Sequence, residues 1–263
     1  VHQVTLSGQC DFANSLAVLR NAGIKRTALW TPMINSCGIS EAKRIWDSAG
    51  MTAESLCVAC LFEDEALLRK QLDLSDMFGA RTLVIITGGF EALKSAGHDG
   101  DIDYARSLLV ERLALAAELA DSYRVRLAFE PLHPMVCGFR SIVSTLQESL
   151  DILDQMDDSH DIGLAIDTYA LWWEHDLQEK LKRAGRRILN YHVSDWLADT
   201  RDLRLDRGMP GDGQIALCDW RHMIEAAGYF GPIEVEIFSR DRWWKTPAEK
   251  MIEEIIQRMN SAF

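Results

Sequence analysis

The sequence predicts an α/β protein, a single (β/α)8 TIM barrel spanning residues 1–263. Strand-like and helix-like segments alternate along the whole chain, which implies parallel pairing, and they make eight units, the number that closes a barrel. No GxGxxG follows the first strand, as an open doubly wound sheet built to hold a dinucleotide would require. With 263 residues, 48% hydrophobic and 26% charged, the chain has the length and apolar content of one such domain.

The units follow in order. The opening VHQVTLSGQC reads as a strand, VTLS, with little chain expected before it. It precedes the helical DFANSLAVLRNAG, which Gly23 is placed to stop. RTALW leads to SEAKRIWDSAG, and TAESLCVACLF leads to EDEALLRKQLDLSDMFGA. TLVIITGG leads to DIDYARSLLVERLALAAELADSY, whose apolar residues recur at helical spacing. RLAFEPLHP leads to STLQESLDILDQM, and IGLAIDTYA leads to DLQEKLKRAG. ILNYHVSDW leads, after a long loop, to LCDWRHMIEAAG; PIEVEIFS and PAEKMIEEIIQRMNSAF form the eighth unit.

The formal charge of −12 argues against a nucleic-acid or anionic-membrane partner, while a local pocket remains free to oppose the global field for a small anion. No apolar run approaches the roughly 20 residues that span a bilayer, and no basic-then-apolar leader opens the chain. A cytoplasmic location is expected. The six cysteines read as buried free thiols of a reducing compartment. Cys57 and Cys60 form a CxxC within a strand, where residues three apart should face opposite ways and so chelate poorly.

Chemistry concentrates at the carboxyl ends of the later strands, where barrel active sites lie. The fifth strand ends Ala128-Phe129-Glu130, the sixth Ala165-Ile166-Asp167, the seventh Asn190-Tyr191-His192 and the eighth Glu234-Val235-Glu236. Alternation along each strand brings Glu130, Asp167, His192 and Glu236 to one mouth. One acid after a strand is commonly a helix cap, and one histidine commonly a core residue. Four in phase on successive strands point instead to a metal site. Three gathered carboxylates repel unless a cation neutralises them. An oxygen-rich set with one imidazole suits one divalent ion, Mn²⁺ foremost, with Mg²⁺, Co²⁺ or Zn²⁺ as alternatives.

On LAFEPLHP, AIDTYALWWE, NYHVSDW, DRGMPGDGQI and GPIEVEIFS, the chain resembles the xylose isomerase-like barrel superfamily, in its sugar phosphate isomerase/epimerase branch. The resemblance spans essentially the full chain. It implies one divalent ion held by Glu130, Asp167, His192 and Glu236, as in ketose 3-epimerases. It further implies that Glu130 and Glu236 exchange the proton from opposite sides of the substrate carbon. The arginine of the RGxxGxG loop, which contacts substrate and orients a ligand, matches Arg207. The implied activity is isomerisation or epimerisation of a ketose or keto-polyol through an enediolate, and a homodimer is expected by the same analogy. One departure stands out: the family's D-x-x-H is Asp167-Thr168-Tyr169-Ala170 here, so the substrate-binding histidine is missing. The glutamate that some ketose epimerases carry after the first ligand also has no equivalent in PLHPMVCG.

Around this set, Trp30 and His133 are candidate substrate contacts, with Trp172, Trp173, Trp196, Trp243 and Trp244 as further aromatic walls. Asp195 is a candidate to orient His192 or Arg207 from behind, and Asp212, between two glycines, to shape its loop. Arg140, Arg201, Arg204 and Arg240 lie with Arg207 on top-face loops, either as a phosphate clamp or as solvated charge. Two alternatives remain open: a lyase dehydrating a keto-inositol or keto-acid ring on the same metal site, and a non-catalytic sugar-binding barrel. A DNA-repair endonuclease is excluded, because the third and fourth strand ends, Cys60-Leu61-Phe62 and Thr87-Gly88-Gly89, lack the histidines of a zinc cluster and the net charge has the wrong sign.

Overall fold

A computed structural model describes residues 1–157 and 160–262. The strands are β1 (Arg26–Trp30), β2 (Thr52–Cys60), β3 (Thr82–Ile86), β4 (Arg126–Phe129), β5 (Ile162–Asp167), β6 (Ile188–Val193) and β7 (Ile233–Val235). They pair in chain order, each neighbour parallel. Helix α1 (Phe12–Asn21) precedes β1, while α2 (Thr31–Cys37) and α3 (Ile39–Ala49) follow it. After β2 comes α4 (Glu65–Phe78), and after β3 come α5 (Phe90–Ser95) and α6 (Ile102–Tyr123). Helix α7 (Leu146–Leu153) follows β4, and α8 (Thr168–Leu171) with α9 (Leu177–Ala184) follow β5. Helices α10 (Leu217–Ala226) and α11 (Ala248–Ala262) follow β6 and β7. Asp11, Asp64, Asp101 and Thr145 each accept a first-turn main-chain N–H, which a helix cannot satisfy by itself.

The sheet wraps into a nearly closed TIM barrel, but the expected first strand is a 3-10 turn, Gln3–Leu6. It stands between β7 and β1, where an eighth strand would pair. His2 makes a parallel bridge to Ala28, and its N–H donates to the Val235 carbonyl at 2.9 Å. Beyond His2, side chains replace the ladder. Gln3 Oε1 accepts from the Trp30 N–H at 3.1 Å, and Thr5 Oγ1 accepts from the Ile237 N–H at 3.0 Å. With those edge groups satisfied, the backbone is free to turn early.

Two cysteine expectations also need correction. The register slips between Cys57 and Ala59 in β2, so strict alternation fails and both Cys57 and Cys60 border the same cavity. All six thiols are free, but only Cys57 is buried; Cys137 and Cys218 are exposed.

The main core lies between sheet and helices, with Leu16, Leu72, Leu109, Leu150 and Ile224 among its buried members. Inside the barrel a smaller cluster of Cys57, Val84, Ala128 and Ala165 leaves room for a polar floor of Ser55, Asn190 and Glu234. Among the described residues, no helix is long and apolar enough to cross a membrane.

Candidate active site at the carboxyl ends of the strands

Glu130 follows β4, with its N–H donating to the Ile85 carbonyl at 2.9 Å, and Asp167 ends β5. His192 lies on β6; Glu236 follows β7, with its N–H donating to the Val193 carbonyl at 3.0 Å. All four side chains are buried. Ala128 and Ala165 sit inside the barrel, so the residues two further along point to the same mouth.

Glu130 Oε1 lies 3.0 Å from His192 Nδ1, and Glu236 Oε2 lies 4.0 Å from the same nitrogen. One donor atom from each of the three falls within 4.8 Å of the others. Two carboxylates and an imidazole so disposed fit a divalent cation. Asp167 stands just outside this group. Its Oδ1 accepts from the Tyr169 N–H at 2.9 Å, capping α8, and its Oδ2 accepts from Arg207 at 3.0 Å. The same Arg207 nitrogen donates to Glu236 Oε2 at 2.9 Å, so one guanidinium joins two of the expected ligands. A second trio, His2, Cys57 and Glu236, is equally compact. Burial pushes the Cys57 thiol up to about 12 and His2 down to about 4, so Glu236 is the only charged member and the donor set is weaker.

Beneath the mouth, Glu234 holds His192. Its Oε2 lies 3.1 Å from His192 Nε2, Ser55 Oγ donates to both of its oxygens at 3.0 and 2.9 Å, and Asn190 Nδ2 donates to Oε1 at 2.9 Å. The ring is thereby aimed with Nδ1 toward Glu130 and Glu236, a device typical of metal-binding histidines.

The electrostatics divide the acids. Burial raises the Glu130 carboxyl above its ordinary range, with Glu236 and Asp167 adding repulsion against the partial relief from His192. Burial also raises Asp167, although Arg207 counters it. Burial opposes ionisation of Glu236 too, yet His192, Arg207 and His2 outweigh it and hold this carboxyl at about 2. Burial disfavours a charged His192, but Glu236, Cys57, Glu130 and Glu234 together hold its pKa well above that of an ordinary imidazole.

Above these groups opens a cavity of about 360 Å³, sized for a small polar molecule. Trp30, His133 and Arg207 all line it, along with Tyr169, Ala170 and Phe238. The His133 ring stacks on Trp196 at 4.7 Å, and Arg207 lies over Tyr169 at 4.4 Å and Phe238 at 5.1 Å. Asp195 is placed differently from expectation, since its carboxylate touches neither His192 nor the Arg207 guanidinium. It accepts main-chain N–H groups from Trp196, Gly211, Gly213 and Ile215, and its own backbone pairs with Gly208. It therefore ties down the loop that carries Arg207. Asp212 braces that loop through Met209, Trp243 and Arg258.

Sequence reasoning assigned no role to His2, Glu234, Tyr169 or Phe238. Glu234 alone left a signal: its phase with Glu236 put a second acid on the inward face.

A family model described as xylose isomerase-like TIM barrel matches residues 62–262, and the chain belongs to that family. Protein SMc04130 from Sinorhizobium meliloti 1021 is 37% identical over 100% of this chain and 97% of its own, with a TM-score of 0.90. An IOLI protein with a binding zinc atom is 17% identical over 99% and 96%, with a TM-score of 0.81. A D-allulose 3-epimerase from Methylomonas sp. is 17% identical over 100% and 96%, with a TM-score of 0.75. At such identities the last two are similar in fold. No curated protein sequence matches the chain.

Proposed function

We propose that the protein is a divalent-metal-dependent isomerase or epimerase acting on a ketose or keto-polyol. The observation that carries this reading is the convergence of Glu130, His192 Nδ1 and Glu236 within 4.8 Å at the mouth, with Arg207 linking Glu236 to Asp167. Similarity in fold to a zinc-binding protein and to a ketose epimerase supports it. Glu130, Asp167, His192 and Glu236 would hold the ion, Mn²⁺ foremost. Bound there, it would polarise a substrate carbonyl and its neighbouring hydroxyl as a Lewis acid.

The chain's own groups supply the proton chemistry. Glu130, raised by burial, is suited to take a proton from the carbon beside a carbonyl and to give it back. Glu236, held anionic by His192 and Arg207, would serve at the opposite face once its contacts reorganise around substrate. Arg207 fixes both Asp167 and Glu236 and presents a positive charge where the enediolate forms. Trp30, His133 and Tyr169 wall the cavity and restrict water. A cytoplasmic location accords with the six free thiols, and a homodimer rests on family analogy.

Elemental analysis tests the metal: about one divalent ion per chain is expected, lost in Glu130→Gln, Asp167→Asn and His192→Ala. Metal-dependent exchange of a ketose C–H in deuterated water tests the chemistry. A protein that binds no divalent ion, or exchanges no proton with any ketose, would refute the proposal.

A further inference from the structure

The cavity above the acidic cluster is lined by arginines as well as carboxylates. Arg140 and Arg204 line the same cavity as Glu130, Asp167 and Glu236. Of the other arginines on top-face loops, Arg240 pairs with Asp202 and Asp241, and Arg207 pairs with Asp167 and Glu236. Neither Arg140 nor Arg204 has a carboxylate partner among the described residues, in a chain whose net charge is −12. Arg204 is exposed at the rim, with its guanidinium 5.8 Å from the Phe238 ring, whose centre is also 5.1 Å from that of Arg207. Partial desolvation against the cavity wall lowers the Arg204 pKa even though the residue is exposed, and repulsion from Arg140 and Arg207 lowers it further, against weaker relief from Asp202 and Glu236. Glu63, a further acid of the lining, has its pKa raised by burial, with a hydrogen bond from Cys60 opposing the shift. Cationic groups that share one opening and have no ion-pair partner of their own suit an incoming anion, which would take up their free donors.

We propose that Arg140 and Arg204 form a subsite for an oxyanion, a carboxylate or phosphate, carried by the substrate at the end remote from its reacting carbon. Two planar guanidinium donors suit either group. The substrate would then be an acidic or phosphorylated ketose rather than a neutral one. The proposal rests on the isomerase reading for the location of the reacting carbon, but the charge preference is measurable without turnover.

The experiment is titration calorimetry of the protein, metal-free and Mn²⁺-loaded, with three six-carbon probes: fructose, fructose 6-phosphate and 5-keto-D-gluconate. At least one charged probe is expected to bind at least tenfold more tightly than fructose, and to weaken as NaCl rises from 50 to 200 mM. Which probe gains identifies the oxyanion as phosphate or carboxylate. The gain should vanish in Arg140→Gln/Arg204→Gln, while Mn²⁺ stoichiometry and fructose affinity stay as in the wild type. Equal affinity for charged and neutral probes, including no binding by any of them, overturns the subsite. So does a charge preference that survives the double substitution. Failure of the metal reading would show separately, as absent Mn²⁺ binding with the charge preference intact in the metal-free protein.

Discussion

Glu234 is where the structure makes its sharpest demand. Its carboxylate receives hydrogen bonds from Ser55 and Asn190 and lies 3.1 Å from His192 Nε2, all within the barrel floor. If its role is to aim His192, Glu234→Leu should leave the ring free to rotate and its Nε2–H without an acceptor. Carboxylates behind a metal-binding histidine typically change metal affinity by about 10–100-fold when removed. At 1.36 kcal/mol per decade, that corresponds to ~1.4–2.7 kcal/mol. A hydrogen bond to a charged group is independently worth about 1.5–3 kcal/mol, so the two figures agree. Glu234→Gln should be far milder, within about threefold, because its amide oxygen can still accept from His192. Asn190 can accommodate the new NH₂ by flipping, since its Oδ1 is buried without a partner. Calorimetric titration with Mn²⁺, with melting curves to confirm folding, reads both variants. A folded Leu variant binding Mn²⁺ as the wild type does would refute the aiming role. A Gln variant as weak as Leu would assign the effect to charge instead.

Arg207→Gln should destabilise the metal-free protein by about 3 kcal/mol at pH 7, because it strands two buried carboxylates. The Glu236 carboxyl is held at about 2 in the folded protein, so its contribution is present above pH 4.5 and is lost as pH falls toward 2. Urea unfolding of wild type and variant should accordingly converge between pH 4.5 and 2. Because His192 is held protonated above its ordinary range, divalent-ion binding should release a proton there and strengthen about tenfold per pH unit until that raised pKa is passed. Calorimetry in two buffers of different ionisation enthalpy measures the released proton. Asp195→Ala removes an acceptor of four main-chain N–H groups and should cost about 3 kcal/mol, with Asp195→Asn intermediate. Thermal melts check the order, and unchanged melting in the Ala variant would contradict the loop-tying role.

Much of this molecule is written locally. The period of apolar residues set seven strands and their helices in order, and the step of two along each strand put Glu130, Asp167, His192 and Glu236 on one side. Those are short-range properties, so the sequence by itself determined them. What it could not determine depends on neighbours distant in the chain. VTLS has a strand's pattern, but Gln3 and Thr5 satisfy the edges of β1 and β7 with their side chains, and the backbone turns instead. Strict alternation puts the two CxxC cysteines on opposite faces, and the slipped register at Cys57–Ala59 breaks that alternation. Its phase puts Asp167 among the expected ligands, and the structure shows it also capping α8 and pairing with an arginine 40 positions away. Glu234, in phase but unassigned, acquired its part only when closure of the barrel set it under His192. Local periodicity fixes which way a side chain points; only tertiary packing decides which charges meet there, because electrostatic and hydrogen-bond energies depend on through-space distance rather than on position along the chain.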